Sequence, residues 1–311
     1  MRHHLRKARE VYAEGGVLET ARSAIRYLPV ELNNAVFRLQ HGSGTHVMDE
    51  DWDNLFILDA CRFDMFTEYV DLEGILKPRI SLGSSSEEFM ERNFAGATFH
   101  DTVYINANPY IAKLGLDNGT FHAVINCLDA WDDNLETVPP GPVVEAARDA
   151  ISEFPDKRII VHFMQPHAPF IGDAGREIGG GGWTMDRDID SSASIWERGR
   201  ANDVSDEAIW KGYVENLELV IDELRPLLSE VDGKSVVTSD HGNLVGERLS
   251  PIPTRKKYGH PYGVHTEELV KIPWFVVNDG RRRDINEDPP VEQGTVSEET
   301  VTEHLEALGY K

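Results

Sequence analysis

Carboxylate and imidazole side chains come directly after several short apolar runs of this sequence. Asp59 follows NLFIL, and Asp240 with His241 follows SVVTS. Gln165 and His167 come just after RIIVHF. Carboxylates supply charge and neutral imidazoles supply nitrogen, a combination that suits a borderline divalent ion such as Zn²⁺ or Mn²⁺. A lone Asp or His would indicate a helix cap or a core residue, whereas the same pattern after three separate runs favours a metal site.

Three adjacent serines are candidates for a nucleophile. Ser84, Ser85 and Ser86, in the segment SLGSSSEEFMERNF, precede a predicted helix that opens with Glu87 and Glu88. A serine at this place ordinarily caps the helix through its side-chain oxygen. A hydroxyl at a helix N-terminus also lies where an attacking oxygen and its anionic product are stabilised by exposed N–H groups, and coordination to a metal would lower its pKa. Spacing alone does not separate the three serines.

Alternating strands and helices would bring these side chains together. The predicted strands are residues 54–58, 102–105, 158–163, 235–238 and 274–277, and the clearest predicted helices are residues 140–154 and 205–230. Short apolar runs are typical of strands buried on both faces, and their alternation with helices indicates an α/β fold with a mostly parallel sheet. Ligands bind at the carboxyl ends of the strands in such sheets, so we expect the site at that edge.

The chain divides into an N-terminal extension and one catalytic domain. Residues 1–50 carry apolar side chains at helical spacing and are predicted to be a helical extension, while residues 51–311 form the catalytic domain. We expect the extension to pack on its own domain, with contact to a membrane surface as the alternative. Residues 171–200, rich in Gly, Asp and Ser, are predicted to be an irregular insertion, either a lid or a plain surface loop.

The composition argues against some partners and locations. Acidic residues number 54 against 31 basic ones, and the formal net charge of −23 argues against nucleic-acid binding. The same acidic excess with scarce lysine is consistent with a halophilic source. Two cysteines are too few for a disulfide framework, so we expect a cytoplasmic protein. No apolar run reaches about 18 residues, so no transmembrane segment is predicted, and nothing indicates the oligomeric state.

Four segments resemble the alkaline phosphatase superfamily, and in particular its sulfatase-like branch. They are ILDACRFD at 57–64, HFMQPHAPF at 162–170, TSDHG at 238–242 and YGHPYGVHTEELVKIPWFVV at 258–277, in the order typical of that superfamily. The sequence is also similar overall to sulfatase-like proteins of haloarchaea. The resemblance implies an alkaline phosphatase-like, three-layer αβα sandwich around a central, mostly parallel sheet.

The resemblance also implies roles for individual residues. Those that would bind the metal are Asp59, Asp240 and His241. His167 would lie beside the substrate anion. In the fourth segment His260 is the first choice for binding the metal or the substrate, and His265 is the second. The expected ion is Zn²⁺ or Mn²⁺, with Ca²⁺ or Mg²⁺ as alternatives, and the neutral Gln165 favours one tightly held ion.

One departure from the sulfatase pattern bears on mechanism. Sulfatases carry a CxPxR motif whose Cys or Ser becomes formylglycine, and this sequence lacks it. We therefore expect a plain hydroxyl nucleophile, with Ser86 preferred over Ser85 because it lies closest to the helix start. Arg62 would help His167 and His260 to stabilise charge on the substrate oxygens. Cys61 is interpreted as a packing residue.

These observations predict a metal-dependent hydrolase or transferase that acts on a phosphate ester through a serine. A small-molecule, glycan or lipid-linked ester would fit as the substrate. Three alternatives stay open at this point: a sulfate ester hydrolase that lacks formylglycine, a phosphomutase, and a family member that binds metal or anion without turnover.

Overall fold

In the computed structural model of this protein, the described residues are 27–179, 193–291 and 296–310, together with Gly16, Ala24 and Ile25. The strands are β1 (Asn54–Asp59), β2 (Ile75–Ile80), β3 (Phe99–Asn106), β4 (Phe121–Asn126), β5 (Arg158–Pro166), β6 (Lys234–Ser239), β7 (Leu244–Glu247), β8 (Lys257–Gly259) and β9 (Lys271–Asp279). The α-helices are α1 (residues 27–41), α2 (Phe63–Tyr69), α3 (Ser86–Phe94), α4 (Tyr110–Lys113), α5 (Pro140–Glu153), α6 (Asp173–Glu177), α7 (Ile195–Ala201), α8 (Asp206–Glu230), α9 (Glu267–Val270) and α10 (Glu298–Ala307).

Seven strands form the central sheet in the order β2-β9-β6-β1-β5-β3-β4, and β7 pairs with β8 in a separate two-stranded sheet. All neighbouring strands of the central sheet are parallel except at β9, which runs antiparallel to both β2 and β6. The predicted α/β class with a mostly parallel sheet is therefore confirmed. The carboxyl ends of β1, β5 and β6 lie next to each other at one edge.

Both faces of the sheet are covered by helices, as the continuous apolar run of β1 predicted. Phe56 and Leu58 belong to the hydrophobic core that contains residues of α5 and α8. Leu55 and Ile57 point the other way, into the core that contains residues of α3, α4 and α10. Alternate side chains of a strand face opposite sides of the sheet. A strand with helices packed on both sides therefore shows no alternation of polar and apolar residues in its sequence. The result is the predicted three-layer αβα arrangement.

Two strands of the central sheet were not predicted, and each has a local reason. β2 is the edge strand with the sequence ILKPRI, and its Ile75 is largely exposed. Its lysine and proline are tolerated because an edge strand leaves one row of backbone groups unpaired. β4 lies at the opposite edge, where the partly buried end of FHAVIN weakens the apolar signal.

The helix α1 packs against loops of the same chain through two buried asparagines. The Asn34 amide donates to the carbonyl of Gly263 at 2.8 Å and accepts from the backbone N–H of His265 at 2.8 Å. Asn33 makes the same reciprocal pair with the backbone of Ile252, also at 2.8 Å in both directions. Most of the predicted helices before residue 27 lie outside the described residues. Among the described helices, none is long and apolar enough to cross a membrane.

The predicted irregular stretch at 171–200 contains short helices where it is described. Residues Asp173–Glu177 form α6, and α7 begins at Ile195 with a capping box at Ser194 and Glu197. Residues 180–192 lie outside the described part of the chain. The interpretation of this stretch as a lid or a plain loop stays a prediction.

Replacing Gly83 with alanine should destabilise the turn that leads into α3. A Cβ atom at this position would lie 2.2 Å from the backbone nitrogen of Phe89, so the backbone would have to move. We expect a loss of about 1–3 kcal/mol in the free energy of unfolding, measured by urea denaturation. The control is Gly141→Ala in α5, where the nearest atom is 3.8 Å away. Equal stability of the two variants would contradict the predicted close approach.

Candidate active site

Three predicted metal ligands meet at the carboxyl ends of neighbouring parallel strands. Asp59 is the last residue of β1, and Asp240 and His241 directly follow β6. One ligand atom from each of the three residues lies within 4.8 Å of the others, and all three residues are fully buried. The strand order therefore brings Asp59 next to Asp240 and His241, which follow it by about 180 residues in the sequence.

Each carboxylate keeps one oxygen in hydrogen bonds and leaves the other free. Asp59 Oδ2 accepts from Asn108 Nδ2 at 2.7 Å, while Asp240 Oδ1 accepts from the backbone N–H groups of Ala60 at 2.9 Å and His241 at 2.8 Å. Asp59 Oδ1 and Asp240 Oδ2 are buried without a hydrogen-bond partner among the described residues. Such oxygens require a cation or a proton, because an uncompensated charge in a protein interior is costly.

His241 completes a donor set for a divalent ion. Its Nδ1 lies 2.9 Å from the carbonyl oxygen of Gly242, which places the proton on Nδ1 and a lone pair on Nε2. Nε2 lies 3.4 Å from Asp240 Oδ2 and 3.7 Å from Asp59 Oδ1. Two carboxylate oxygens and one imidazole nitrogen that face each other fit a borderline ion such as Zn²⁺ or Mn²⁺.

The pKa values of the two carboxylates move in opposite directions. Burial raises the pKa of Asp59 well above its ordinary value, and the charge of Asp240 adds to this effect. Burial also acts to raise the pKa of Asp240, but interactions with His241 and His162 outweigh it and the pKa is lowered. Burial lowers the pKa of His241 and so favours the neutral imidazole that a metal requires. A proton on Asp59 is therefore the natural competitor of a metal ion.

The hydroxyl of Ser86 lies against the metal-ligand group. Ser86 is the first residue of α3 and is fully buried. Its Oγ lies 3.2 Å from Asp59 Oδ2 and 3.2 Å from His241 Nε2. Because exposed N–H groups at a helix N-terminus stabilise negative charge, this hydroxyl is well placed to become an anion or to carry one.

The other two serines of the segment have structural partners. Ser85 is the N-cap of α3, and its hydroxyl accepts from the backbone N–H of Glu88 at 3.3 Å. Ser84 donates to Glu88 Oε2 at 2.9 Å and accepts from the backbone N–H of Val264 at 3.2 Å. The geometry thus distinguishes three serines that their spacing in the sequence could not.

His167 and His260 lie beside this group as neutral imidazoles. The ring centroid of His260 is 4.8 Å from that of His167 and 4.7 Å from that of His241. Burial, followed by the nearby His241, lowers the pKa of His167 to about 4 and that of His260 well below its ordinary value. His260 Nδ1 donates to Asn243 Oδ1 at 2.8 Å, and His167 Nδ1 donates to the carbonyl of Ala168. Their Nε2 atoms are therefore hydrogen-bond acceptors.

Two further candidates from the sequence lie outside the metal-ligand group that the described residues form. The guanidinium of Arg62 is bound by Asp64 at 2.6 Å and Glu247 at 2.5 Å and stacks over the ring of Trp210. Its connection to the site is indirect, because Nη1 also donates to the carbonyl of Asn243, the residue that holds His260. The second candidate, His265, lies near α1, where its ring centroid is 6.4 Å from that of Phe37.

Four residues at the site were not predicted from the sequence: Asn108, Tyr104, His162 and Tyr310. Asn108 follows β3 and donates a hydrogen bond to Asp59. A search for polar residues after each predicted strand would have identified it. The Tyr104 hydroxyl lies 2.7 Å from His162 Nδ1, and His162 Nε2 points toward Asp240 Oδ2 at 3.7 Å. Tyr310 follows α10, and no motif marked it.

Comparison with known proteins finds similarity among solved structures. No family model matches the chain, and no curated protein matches it. The periplasmic domain of phosphoethanolamine transferase EptC from Campylobacter jejuni aligns with a TM-score of 0.44 and 14% identity over 72% of this chain and 77% of that one. The EcEptC periplasmic domain from Escherichia coli aligns with a TM-score of 0.45 and 12% identity over 73% and 72% of the two chains. The structure of the same EcEptC domain in complex with Zn aligns with a TM-score of 0.42 and 13% identity over 73% of this chain and 72% of that one. Similarity at this level supports no conclusion about activity.

Asp240→Asn should abolish tight metal binding. The amide keeps the shape of the side chain but removes the negative charge that attracts a divalent ion. We therefore expect the affinity for Zn²⁺ to fall more than about 100-fold. Isothermal titration calorimetry with ZnCl₂ measures this. Asp149→Asn, on the exposed face of α5, is the matched control and should bind as the wild-type protein does. Unchanged affinity in Asp240→Asn would mean that this group is not the metal site.

Metal affinity should weaken as the pH falls. Because the pKa of Asp59 is raised, its proton competes with the metal at every pH below that pKa and stops competing above it. Titrations between about pH 8 and about pH 5.5, in buffers of different ionisation enthalpy, give the affinity and the number of protons released. Constant affinity with no proton release would contradict a protonated Asp59.

Proposed function

We propose that this protein is a metal-dependent enzyme that hydrolyses or transfers a phosphate ester through Ser86. The observation that carries the proposal is the position of the Ser86 hydroxyl, 3.2 Å from both Asp59 Oδ2 and His241 Nε2, at the start of α3. A nucleophilic hydroxyl needs a group that lowers its pKa and an environment that accepts negative charge. The metal ion that the buried donor set would bind can lower the pKa of the hydroxyl, and the N-terminus of α3 can accept the negative charge.

Asp59, Asp240 and His241 would hold the metal ion, and their free acceptor atoms match its requirements. When bound, Zn²⁺ or Mn²⁺ would supply Lewis-acid chemistry at this place and so lower the pKa of a neighbouring hydroxyl. Asn108 and the backbone N–H of Ala60 orient the two carboxylates by holding their other oxygens. This support keeps the ligand atoms directed at one point.

The first chemical step would be attack by Ser86. Its Oγ loses a proton and forms a bond to phosphorus, while the bond from phosphorus to the leaving alcohol breaks. The resulting phosphoserine would lie at the N-terminus of α3, where backbone N–H groups stabilise its charge. His167 and His260 present Nε2 atoms as acceptors, so either imidazole can take a proton and return it to the leaving oxygen.

The second step decides between hydrolysis and transfer. Attack of water on phosphorus breaks the bond to Ser86 Oγ and releases phosphate, whereas attack of an acceptor alcohol breaks the same bond and forms a new ester. In both cases Oγ regains a proton as the attacking hydroxyl loses one. Both pass through the same intermediate on Ser86. A small-molecule, glycan or lipid-linked phosphate ester would suit this chemistry.

A sulfatase mechanism receives no support from the only candidate thiol of the ILDACRFD segment. Cys61 is fully buried, its thiol points to the carbonyl of Arg62, and burial raises its pKa. A buried, protonated thiol of this kind is a packing residue, in agreement with the interpretation from the sequence.

Ser86→Ala should remove turnover while leaving metal binding in place. We expect the rate constant kcat to fall by roughly three orders of magnitude or more, because the nucleophile is lost. The Zn²⁺-loaded protein is assayed with chromogenic phosphate monoester, phosphodiester and sulfate ester substrates. The matched variant is Ser85→Ala, which should lose about 1 kcal/mol of stability with its helix cap but keep turnover.

The intermediate provides an independent check. Rapid acid quench of the wild-type protein during turnover, followed by peptide mass spectrometry, should locate phosphate on Ser86. Phosphate on Ser84 or Ser85, or full activity of Ser86→Ala, would refute the assignment of the nucleophile. No turnover of any of the three esters by the metal-loaded protein would refute the proposed reaction for these ester classes.

A further inference from the structure

The side chain of Tyr310 reaches into the space beside Ser86. Its phenol oxygen Oη lies 3.0 Å from His260 Nε2 and 3.4 Å from His167 Nε2, and Ser86 is close enough to interact with it. The ring stacks on that of His167 with centroids 6.0 Å apart and packs edge-on against Tyr110 at 5.1 Å. The phenol oxygen therefore lies where the Nε2 atoms of both imidazoles point.

A helix-ending motif fixes the backbone of Tyr310. The N–H of Gly309 bonds to the carbonyl of Glu306 at 3.0 Å, and the N–H of Tyr310 bonds to the carbonyl of Leu305 at 2.9 Å. Gly309 has a φ of +85°, which glycine adopts without strain. This pair of bonds and the left-handed glycine form a Schellman motif at the end of α10. Tyr310 is thus positioned by α10.

The helix α10 is itself anchored to the core. Val301, Leu305 and Leu308 are buried, and the ring of His304 stacks on Trp131 with centroids 3.9 Å apart. The phenol is consequently held in place on one side by the packing of α10 and on the other by the imidazoles.

The hydrogen-bond directions leave the phenol as a donor. His260 and His167 use their Nδ1 protons on Asn243 and Ala168, so both Nε2 atoms that face Tyr310 are acceptors. The phenol proton therefore satisfies one of the imidazoles, and the shorter distance favours His260. A phenol O–H is a hydrogen-bond donor, and the oxygens of a phosphate group are acceptors. Tyr310 is therefore placed to supply such a donor beside the two imidazoles.

We infer that Tyr310 is a further catalytic residue of the reaction proposed above, on which this inference rests. Its hydroxyl turns from His260 to a nonbridging oxygen of the substrate's phosphate group and donates a hydrogen bond to it. The phenol keeps its proton throughout, since the bond from phosphorus to Ser86 forms and the bond to the leaving alcohol breaks. The donor stabilises the charge that develops on the oxygen during that exchange.

Tyr310→Phe tests this role because it removes the hydroxyl and keeps the ring. The control is Tyr69→Phe, which removes a phenol at the end of α2. With Zn²⁺ bound, and with whichever of the three esters the wild-type protein turns over fastest, we expect kcat/KM of Tyr310→Phe to fall about 100-fold. The control should stay within about twofold of the wild type, and thermal unfolding should show that both variants are folded.

A second measurement separates this inference from the proposed function. Calorimetric titration of the Zn²⁺-loaded protein with inorganic phosphate should show affinity about tenfold lower in Tyr310→Phe, because the anion loses a hydrogen bond. If no ester is turned over, the proposed function fails and this titration decides the inference alone. Equal phosphate affinity in the two proteins, or no binding by either, overturns it. A Tyr310→Phe variant with unchanged or higher activity also overturns it, since the phenol would then only fill space that the substrate needs.

Discussion

Asp59 and Asp240 end adjacent strands, and each directs a buried oxygen that has no partner in the described structure toward the same point. Like charges so close in a protein interior cannot both persist without compensation, which either a proton or a cation supplies. Asn108 and the backbone of Ala60 bind only the opposite oxygens, while the imidazoles of His241 and His162 lie 3.4 Å and 3.7 Å from Asp240 Oδ2. The pair of carboxylates therefore favours a cation or a proton between them, and the pKa of Asp59, raised by burial and by the charge of Asp240, agrees with this.

One buried carboxylate, that of Glu88, connects the segment before Ser86 to the loop after His260. Glu88 Oε2 accepts from the backbone N–H of Ser84 at 3.0 Å, two residues before Ser86, and from the backbone N–H of Gly263 at 3.1 Å, in the loop that follows His260. Asn34 of α1 binds the carbonyl of the same Gly263. The start of α3 and the loop after His260 are thereby fixed relative to each other.

The pair of imidazoles beside Ser86 differs in charge from the chain as a whole, which is strongly acidic. His167 and His260 are neutral, because burial and the neighbouring imidazoles lower the pKa of each. In the proposed reaction, attraction for a phosphate anion would therefore come from the metal ion, the N-terminus of α3 and hydroxyl donors. The proposed function thus requires only a small region that attracts an anion, within a chain whose net charge is −23.

The sequence by itself determined the α/β class, the positions of the central buried strands and the polar residues at their carboxyl ends, because burial on both faces and strand order leave a local signal. It did not reveal β2 or β4 at the sheet edges, where burial is incomplete. It could not choose among Ser84, Ser85 and Ser86, since all three fit a helix start and only the packing of α3 directs Ser86 at Asp59. Only the tertiary structure determined the position of the Tyr310 side chain. The helix α10 must pack on the sheet before its Schellman motif can direct the phenol toward the two imidazoles. Polar residues at strand ends can be predicted from the sequence, because they directly follow an apolar run. A residue positioned by the packing of a helix cannot, because its position depends on contacts between segments that are distant in the sequence.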